Sequence, residues 1–319
     1  VFAYAVKATI LNNPDYIKKF FYFLTFIILF VIIDGYSQYF FGKNFFGYSY
    51  EGHRLTLFDD TKFIGHYLAR LLPIIIAVAI SHFLNSKILL LLISLIFISA
   101  DVLIFLSGER TSFFILSLFT FIILALISKW KIVRLATIII STIVIIIIVR
   151  SDSIVKGRMV TQTINQTGAG VTFSPEHDLL FESSFNIFLD HKYFGVGPNN
   201  FRHSCENLKY KAKSTNHYNC YNHPHNLFIQ ILAECGIFVF LLLFLFYLYL
   251  IKYYFTFLKS YLKNLNNLDL SLIVLIISAL VNLFPFVPSG NFFNNNLSMF
   301  NFLCIALFFS YLKNQKANK

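Results

Sequence analysis

Three observations predict an all-α polytopic membrane protein. Hydrophobic residues make up 57% of the chain and charged residues only 13%, the mean hydropathy is +0.68, and apolar runs recur near the length of about 20 residues that crosses a bilayer as a helix. A chain of that composition is solvated mainly by lipid. About eight runs stand out, near 16–33, 63–82, 88–106, 112–127, 132–149, 227–250, 270–286 and 297–312, each bounded by polar or charged residues. They divide the chain into N-terminal transmembrane helices (1–149), one large loop domain (150–226) between the fifth and sixth spans, and C-terminal transmembrane helices (227–319).

Charge sets the orientation. Lys7, Lys18 and Lys19, then Lys87, then Lys129, Lys131 and Arg134, then Lys252, Lys259 and Lys263, then Lys313, Lys316 and Lys319 all fall on one side, opposed only by Asp15 and Asp269. By the positive-inside rule that side is the cytoplasm, and in a bacterium the large loop is then periplasmic. The formal charge of +11 thus reflects orientation and contact with the lipid bilayer, and nucleic acid is not expected as a partner. The chain opens at Val1 without a Met, and residues 1–6 read as the tail of an apolar helix, so earlier spans are expected before it. No signal peptide is visible, and internal helices would direct insertion.

Within the loop, Ser174-Pro175-Glu176 reads as an N-cap, a proline at the first helical position and an acid in the first turn. Leu179, Leu180, Phe181, Phe185, Ile187, Phe188 and Leu189 follow at helical spacing, predicting an amphipathic helix over 175–190 that lies on the membrane surface or caps a cavity. Gly195-Val196-Gly197-Pro198 reads as a tight turn, because Gly197 before proline resists helix. It lacks the third glycine, the strand and the helix of a dinucleotide fingerprint. Cys235 and Cys304 lie in apolar spans as packing residues. Cys205 and Cys220 share the loop, where they are either a disulfide or two thiols.

Chemistry gathers where the loop ends, at Cys220-Tyr221-Asn222-His223-Pro224-His225-Asn226, just before the sixth span. Polar residues inside a bilayer are costly unless paired or facing water, which singles out Arg70, Asp101, Gln230 and Glu234. Asn226, Gln230 and Glu234 share one helix face beneath His225, a stripe expected to face a hydrated cavity. Arg70 either pairs with Asp101 or Glu234, or joins Arg110 and Arg158 in an anion site, with Arg54 and Arg202 as further candidates. Arginines around a His-topped cavity point to a phosphate-bearing ligand. Two plainer readings stand beside this: His225 as an interfacial residue that holds the helix start, and a zinc site from His203, Cys205, His217, Cys220 and His223. The latter spacing fits no compact zinc motif, so neither metal nor cofactor is expected. Tyr247 to Tyr254 reads as an interfacial belt, whereas Tyr36, Tyr39, Phe45 and Tyr48 are candidates for stacking on sugar rings.

Three stretches in sequence, Ser107-Gly108-Glu109-Arg110-Thr111, Gly195-Val196-Gly197-Pro198-Asn199-Asn200-Phe201, and His223-Pro224-His225-Asn226 running to Gln230, Glu234 and Gly236, resemble the O-antigen ligase and O-antigen polymerase superfamily of the bacterial inner membrane. Upstream, 38–47, 54–60 and 67–73 resemble members identified as polymerases, and the turn 285–294 is also similar. The family has about twelve spans, in keeping with the expectation of missing N-terminal helices. The resemblance implies a metal-independent glycosyltransferase that takes glycan from undecaprenyl diphosphate on the periplasmic face. The acceptor is another lipid-linked glycan in a polymerase and lipid A-core in a ligase, and the polymerase-like upstream segments favour polymerase. A chain-length regulator protein is a further partner on this reading.

The residues agree with that chemistry. A departing diphosphate needs positive charge where its own charge develops, for which Arg110 and Arg158 are the first candidates, with Arg70, Arg54, Arg202, His223 and Glu234 as diphosphate- or sugar-binding residues. The acceptor hydroxyl must lose a proton, and His225 is the candidate base. Asp59, Asp60, Glu109 and Asp178 keep a covalent two-step route open. A flippase of lipid-linked glycan is the alternative class, disfavoured because the ionisable residues gather near one face.

Overall fold

The computed structural model describes residues 2–13, 15–58, 61–83, 86–126, 128–167, 174–212 and 220–317. Asp59, Asp60 and His217 lie outside them. Helix dominates the described residues, with one isolated antiparallel bridge between Lys43 and Ser49. In chain order the helices are α1 (Phe2–Asn12), α2 (Tyr16–Phe41), α3 (Ile64–His82), α4 (Lys87–Leu106), α5 (Arg110–Leu126), α6 (Ser128–Ser151), α7 (Ser153–Lys156), α8 (Gln162–Thr167), α9 (Pro175–Asp190), α10 (Phe201–Ser204), α11 (Leu227–Asn264), α12 (Asn267–Asn282) and α13 (Asn295–Ala317). A π-helical turn, Gly157–Thr161, joins α7 to α8, and a 3-10 turn, Leu208–Tyr210, follows α10. Five helices are long and apolar enough to cross a membrane: α2, α3, α4, Lys131–Ser151 of α6, and α11. The other three expected spans correspond to shorter apolar helices, Arg110–Leu126, Asn267–Asn282 and Ser298–Lys313.

The chain divides into two compact units. The first comprises Val1–Thr163, Tyr253–Asn282 and Phe302–Lys319. At its centre α3 packs against α2, α4, α5 and α12 and is buried over most of its length, as an all-round apolar helix must be in a bundle.

Helix α2 runs to Phe41, well past the expected end at 33. Asp34 and Gln38 looked like loop residues, yet each is buried and satisfied by the segment that follows. Asp34 Oδ1 accepts from Phe45 N at 2.7 Å, while Gln38 donates to Tyr48 O and Thr56 Oγ1 and accepts from Thr56 N. The polar helix end thus folds its own loop over itself. Tyr36 and Tyr39 consequently sit on the helix, donating to Ser99 O and Asp152 Oδ2, both at 2.9 Å.

Asp101 does not pair with Arg70. Its carboxylate takes both terminal nitrogens of Arg134 at 3.0 and 3.2 Å, with Ser141 donating to the same carboxylate and Thr120 and Thr137 accepting from the guanidinium. Arg134, counted above among the cytoplasmic cations, is turned inward and lies over the Phe97 ring at 4.4 Å. This network joins α4, α5 and α6. A buried charge is tolerated only when it is paired and hydrogen-bonded.

The second unit comprises Ile164–Lys252 and Leu283–Asn301. Here α9 presents Leu180, Ser183, Ser184 and Ile187 to a small core with Phe201, Cys205, Tyr210 and Ala233. That stripe packs against protein, while Phe185 and Leu189 stay exposed. Cys205 and Cys220 form a disulfide.

Helix α11 extends to Asn264, beyond the expected 250, and breaks at Gly236, where φ is 76° and ψ is −175°. The carbonyls of Ala233 and Glu234 accept instead from Val196 N at 3.2 Å and Gly197 N at 2.8 Å, and Ile237 N donates to Lys192 O at 2.8 Å. A broken helix is stable at membrane depth only when other groups take up its freed backbone polar atoms. The two backbones meet closely: a Cβ on Gly195 would lie 2.3 Å from the carbonyl carbon of Glu234, and one on Gly236 2.2 Å from Tyr193 O. Gly236→Ala therefore faces both left-handed strain and a backbone clash, and is expected to cost about 3 kcal/mol. Thermal denaturation in detergent checks this against Gly157→Ala, whose Cβ meets nothing within 4 Å and which should melt like the parent. Equal midpoints for the two variants would refute the close approach.

Candidate active site

In the first unit the turn between α4 and α5 is the anchor. Ser107-Gly108-Glu109 is buried, and Glu109 is only 2% exposed. Its carboxylate accepts from Gly65 N at 2.7 Å, His66 N at 3.0 Å and Ser112 Oγ at 3.0 Å. It therefore caps the N-terminus of α3, where Phe63 makes no side-chain cap, and meets the positive end of that helix. Burial pushes the Glu109 carboxyl up to about 7, against the opposing pull of those hydrogen bonds and of Arg54. With both oxygens engaged, Glu109 organises the turn.

Arginines converge on this turn. Gly108 has φ of 72°, and a Cβ there would lie 2.3 Å from His53 O and 3.4 Å from Arg54 Cγ, so the 53–54 segment rests on it. Arg158 sits in the π-helical turn, donates from Nε to Gly108 O at 3.3 Å and from Nη1 to Gln162 Oε1 at 2.9 Å. Arg110 opens α5 one residue after Glu109. Arg70, 1% exposed, donates to His66 Nδ1 at 3.0 Å and to His66 O at 3.1 Å, and His66 Nε2 lies 3.5 Å from Glu109 Oε2. His66 links the buried guanidinium to the buried carboxylate. Sequence reading overlooked it, although its i, i+4 spacing from Arg70 was available.

In the second unit a polar scaffold holds the histidines. Glu234, 0% exposed, accepts from Phe201 N at 2.9 Å and from Gln230 Nε2 at 2.9 Å. Gln230 also donates to Asn291 Oδ1 at 2.7 Å and accepts from Phe292 N at 2.9 Å. Asn291 donates to Asn199 Oδ1 at 2.9 Å, and Asn226 donates to Pro285 O at 2.7 Å. The stripe Asn226, Gln230 and Glu234 was expected to face water. It instead clamps the 195–201 and 285–294 turns, because each buried amide or carboxylate needs a partner and these turns supply backbone groups.

On this scaffold His225 takes a left-handed backbone, φ 57°, and its carbonyl accepts from Ser289 N at 2.8 Å. The His223 ring lies 4.2 Å from His225, centroid to centroid, with His177 at 5.5 Å and Tyr221 at 5.6 Å. His223 donates from Nε2 to Ser289 O at 3.3 Å, and burial pushes its pKa down to about 4, against that bond. It is therefore neutral at ordinary pH. Arg202 is exposed on α10. The disulfide occupies Cys205 and Cys220, two of the five residues considered for zinc, and the described residues hold no group of three His, Cys, Asp or Glu side chains placed to hold a metal ion.

Residues 92–244 match the family model of O-antigen ligase. The match covers a little under half of the chain and contains Arg110, Arg158, Arg202, His223, His225 and Glu234. It supports the O-antigen ligase and polymerase superfamily, and with it glycan transfer at a membrane by a glycosyltransferase-like enzyme. Together with the long apolar helices it makes the chain a multi-pass membrane protein. No curated protein and no solved structure matches the chain.

Proposed function

We propose that the protein polymerises surface glycan in the bacterial inner membrane, taking undecaprenyl-diphosphate-linked glycan as donor and a second lipid-linked glycan as acceptor. The observation that supports glycan transfer is that the O-antigen ligase match encloses Arg110, Arg158 and His225, the residue types that the transfer requires, and the polymerase-like segments 38–47, 54–60 and 67–73 favour polymerisation. In this reading the chain has eight spans with the large loop in the periplasm, on the side away from the lysine-rich loops.

His225 takes the proton of the acceptor hydroxyl as that oxygen bonds to the anomeric carbon, and the diphosphate departs with the electron pair of the broken C–O bond. Arg110 and Arg158 stabilise the charge that develops on the leaving group, with Arg54, Arg70 and Arg202 as further contributors. Glu109 and Glu234 have the supporting task of holding the arginine turn and the histidine scaffold. No metal enters this scheme.

The description of the matched family favours a second reading, ligation of the glycan to lipid A-core. The surface glycan profile of a host lacking this gene separates the two. Polymerase predicts lipid A-core bearing a single repeat, and full-length wild type restores the ladder. Bare lipid A-core with lipid-linked polymer accumulating would establish ligase instead, and repeats trapped on the cytoplasmic face would establish a flippase.

A further inference from the structure

The histidine cluster contains a member that its sequence position hides. We propose that His177 is a positioning residue for His225, so that the candidate base works as one of three imidazoles whose packing fixes its ring and sets its proton affinity. This rests on the reading of His225 as the base.

Three observations carry the inference. First, His177 lies in the first turn of α9, 48 positions before His225, and the fold sets the two rings edge to face, centroids 5.5 Å apart at 78°. Second, the His177 ring is held from behind. The helix-capping Ser174 places its Oγ 2.6 Å from His177 Nδ1 and also accepts from the His177 backbone N–H, so the residue that starts α9 also orients this imidazole. Third, His225 is half-buried with further neighbours on its ring and backbone. His223 and Tyr221 flank it from its own segment, and Ser289 of the 285–294 turn binds its carbonyl.

The neighbours that face His225 include Tyr221 and His223 from its own segment, His177 from α9, and the uncharged Ser289. Helix α9 also carries Glu176, Asp178 and Glu182. Burial favours the neutral form of His223, and His177 is the imidazole of another element packed on the His225 ring. A proton on one imidazole opposes a proton on a ring packed against it, and the neighbouring ring also strips water from the base. Both effects lower the proton affinity of His225 and keep it able to accept the acceptor's proton at a lower pH.

In detergent-solubilised full-length protein, with a synthetic polyprenyl-diphosphate oligosaccharide as substrate, His177→Ala should lower kcat about tenfold with little change in KM. It should also move the acidic limb of the pH–rate profile to higher pH. His177→Gln, which keeps a polar side chain on the α9 turn, should move the limb the same way and guards against misfolding of the alanine variant. An acidic limb that stays in place in both variants overturns the proposal, whatever happens to the rate. Retained activity in His225→Asn would instead remove the base assignment on which the proposal rests.

Discussion

Arg158→Ala and Arg110→Ala should each reduce glycan transfer by about 100-fold or more while leaving the protein inserted and folded, the loss seen when one preorganised charge or donor is removed from a developing anion. Arg158 donates from Nε to Gly108 O and from Nη1 to Gln162 Oε1. These two contacts orient the planar guanidinium beside the Gly108 turn, the fork geometry that suits a diphosphate oxygen pair. Arg158→Lys should recover little, because one ammonium cannot reproduce a planar fork held at two points. Transfer measured in membranes at matched protein level checks this. Wild-type rates in Arg158→Ala would remove that residue from the diphosphate site.

Loss of His225 should cost 100- to 10,000-fold, the range ascribed to a well-placed general base. Asparagine is the informative replacement. His225 has φ of 57°, a left-handed conformation that alanine adopts at a cost and asparagine more readily. His225→Asn therefore keeps the turn and its bond to Ser289 while removing the proton acceptor. Glu234→Gln should behave differently, since the carboxylate accepts from Phe201 N and from Gln230 and an amide can satisfy only one of those donors well. Its loss should appear as lower stability together with lower activity. An active His225→Asn enzyme would show that the imidazole is not the base.

Several features were legible in the sequence because their causes are local. Long apolar runs mark helices wherever they end up, so the cores of α2, α3, α4, α6 and α11 could be read from composition alone. Ser174-Pro175-Glu176 specifies a helix start in three residues, through a side-chain cap and a ring already at helical φ. Gly195 and Gly197 mark a turn through their own backbone freedom, with φ of 66° and 97°.

Only the tertiary structure decided which polar residues meet. Asp34 and Gln38 read as loop because their partners, Phe45 N and Thr56, lie across a turn that composition does not specify. Arg134 read as a surface cation until Asp101 on another helix claimed it. His177 carried no local signal and His66 only its i, i+4 spacing from Arg70, since a histidine acquires its role from what the fold brings within about 6 Å. Even the break at Gly236 depended on a remote strand of chain, 192–197, that supplied the hydrogen bonds the helix gave up. Sequence by itself determined where the chain is apolar and where it turns, because hydrophobic burial and backbone sterics act on neighbouring residues. Pairing of charges and amides was decided by the fold, because a buried polar group is stable only with a specific partner, and that partner is set by packing rather than by distance along the chain.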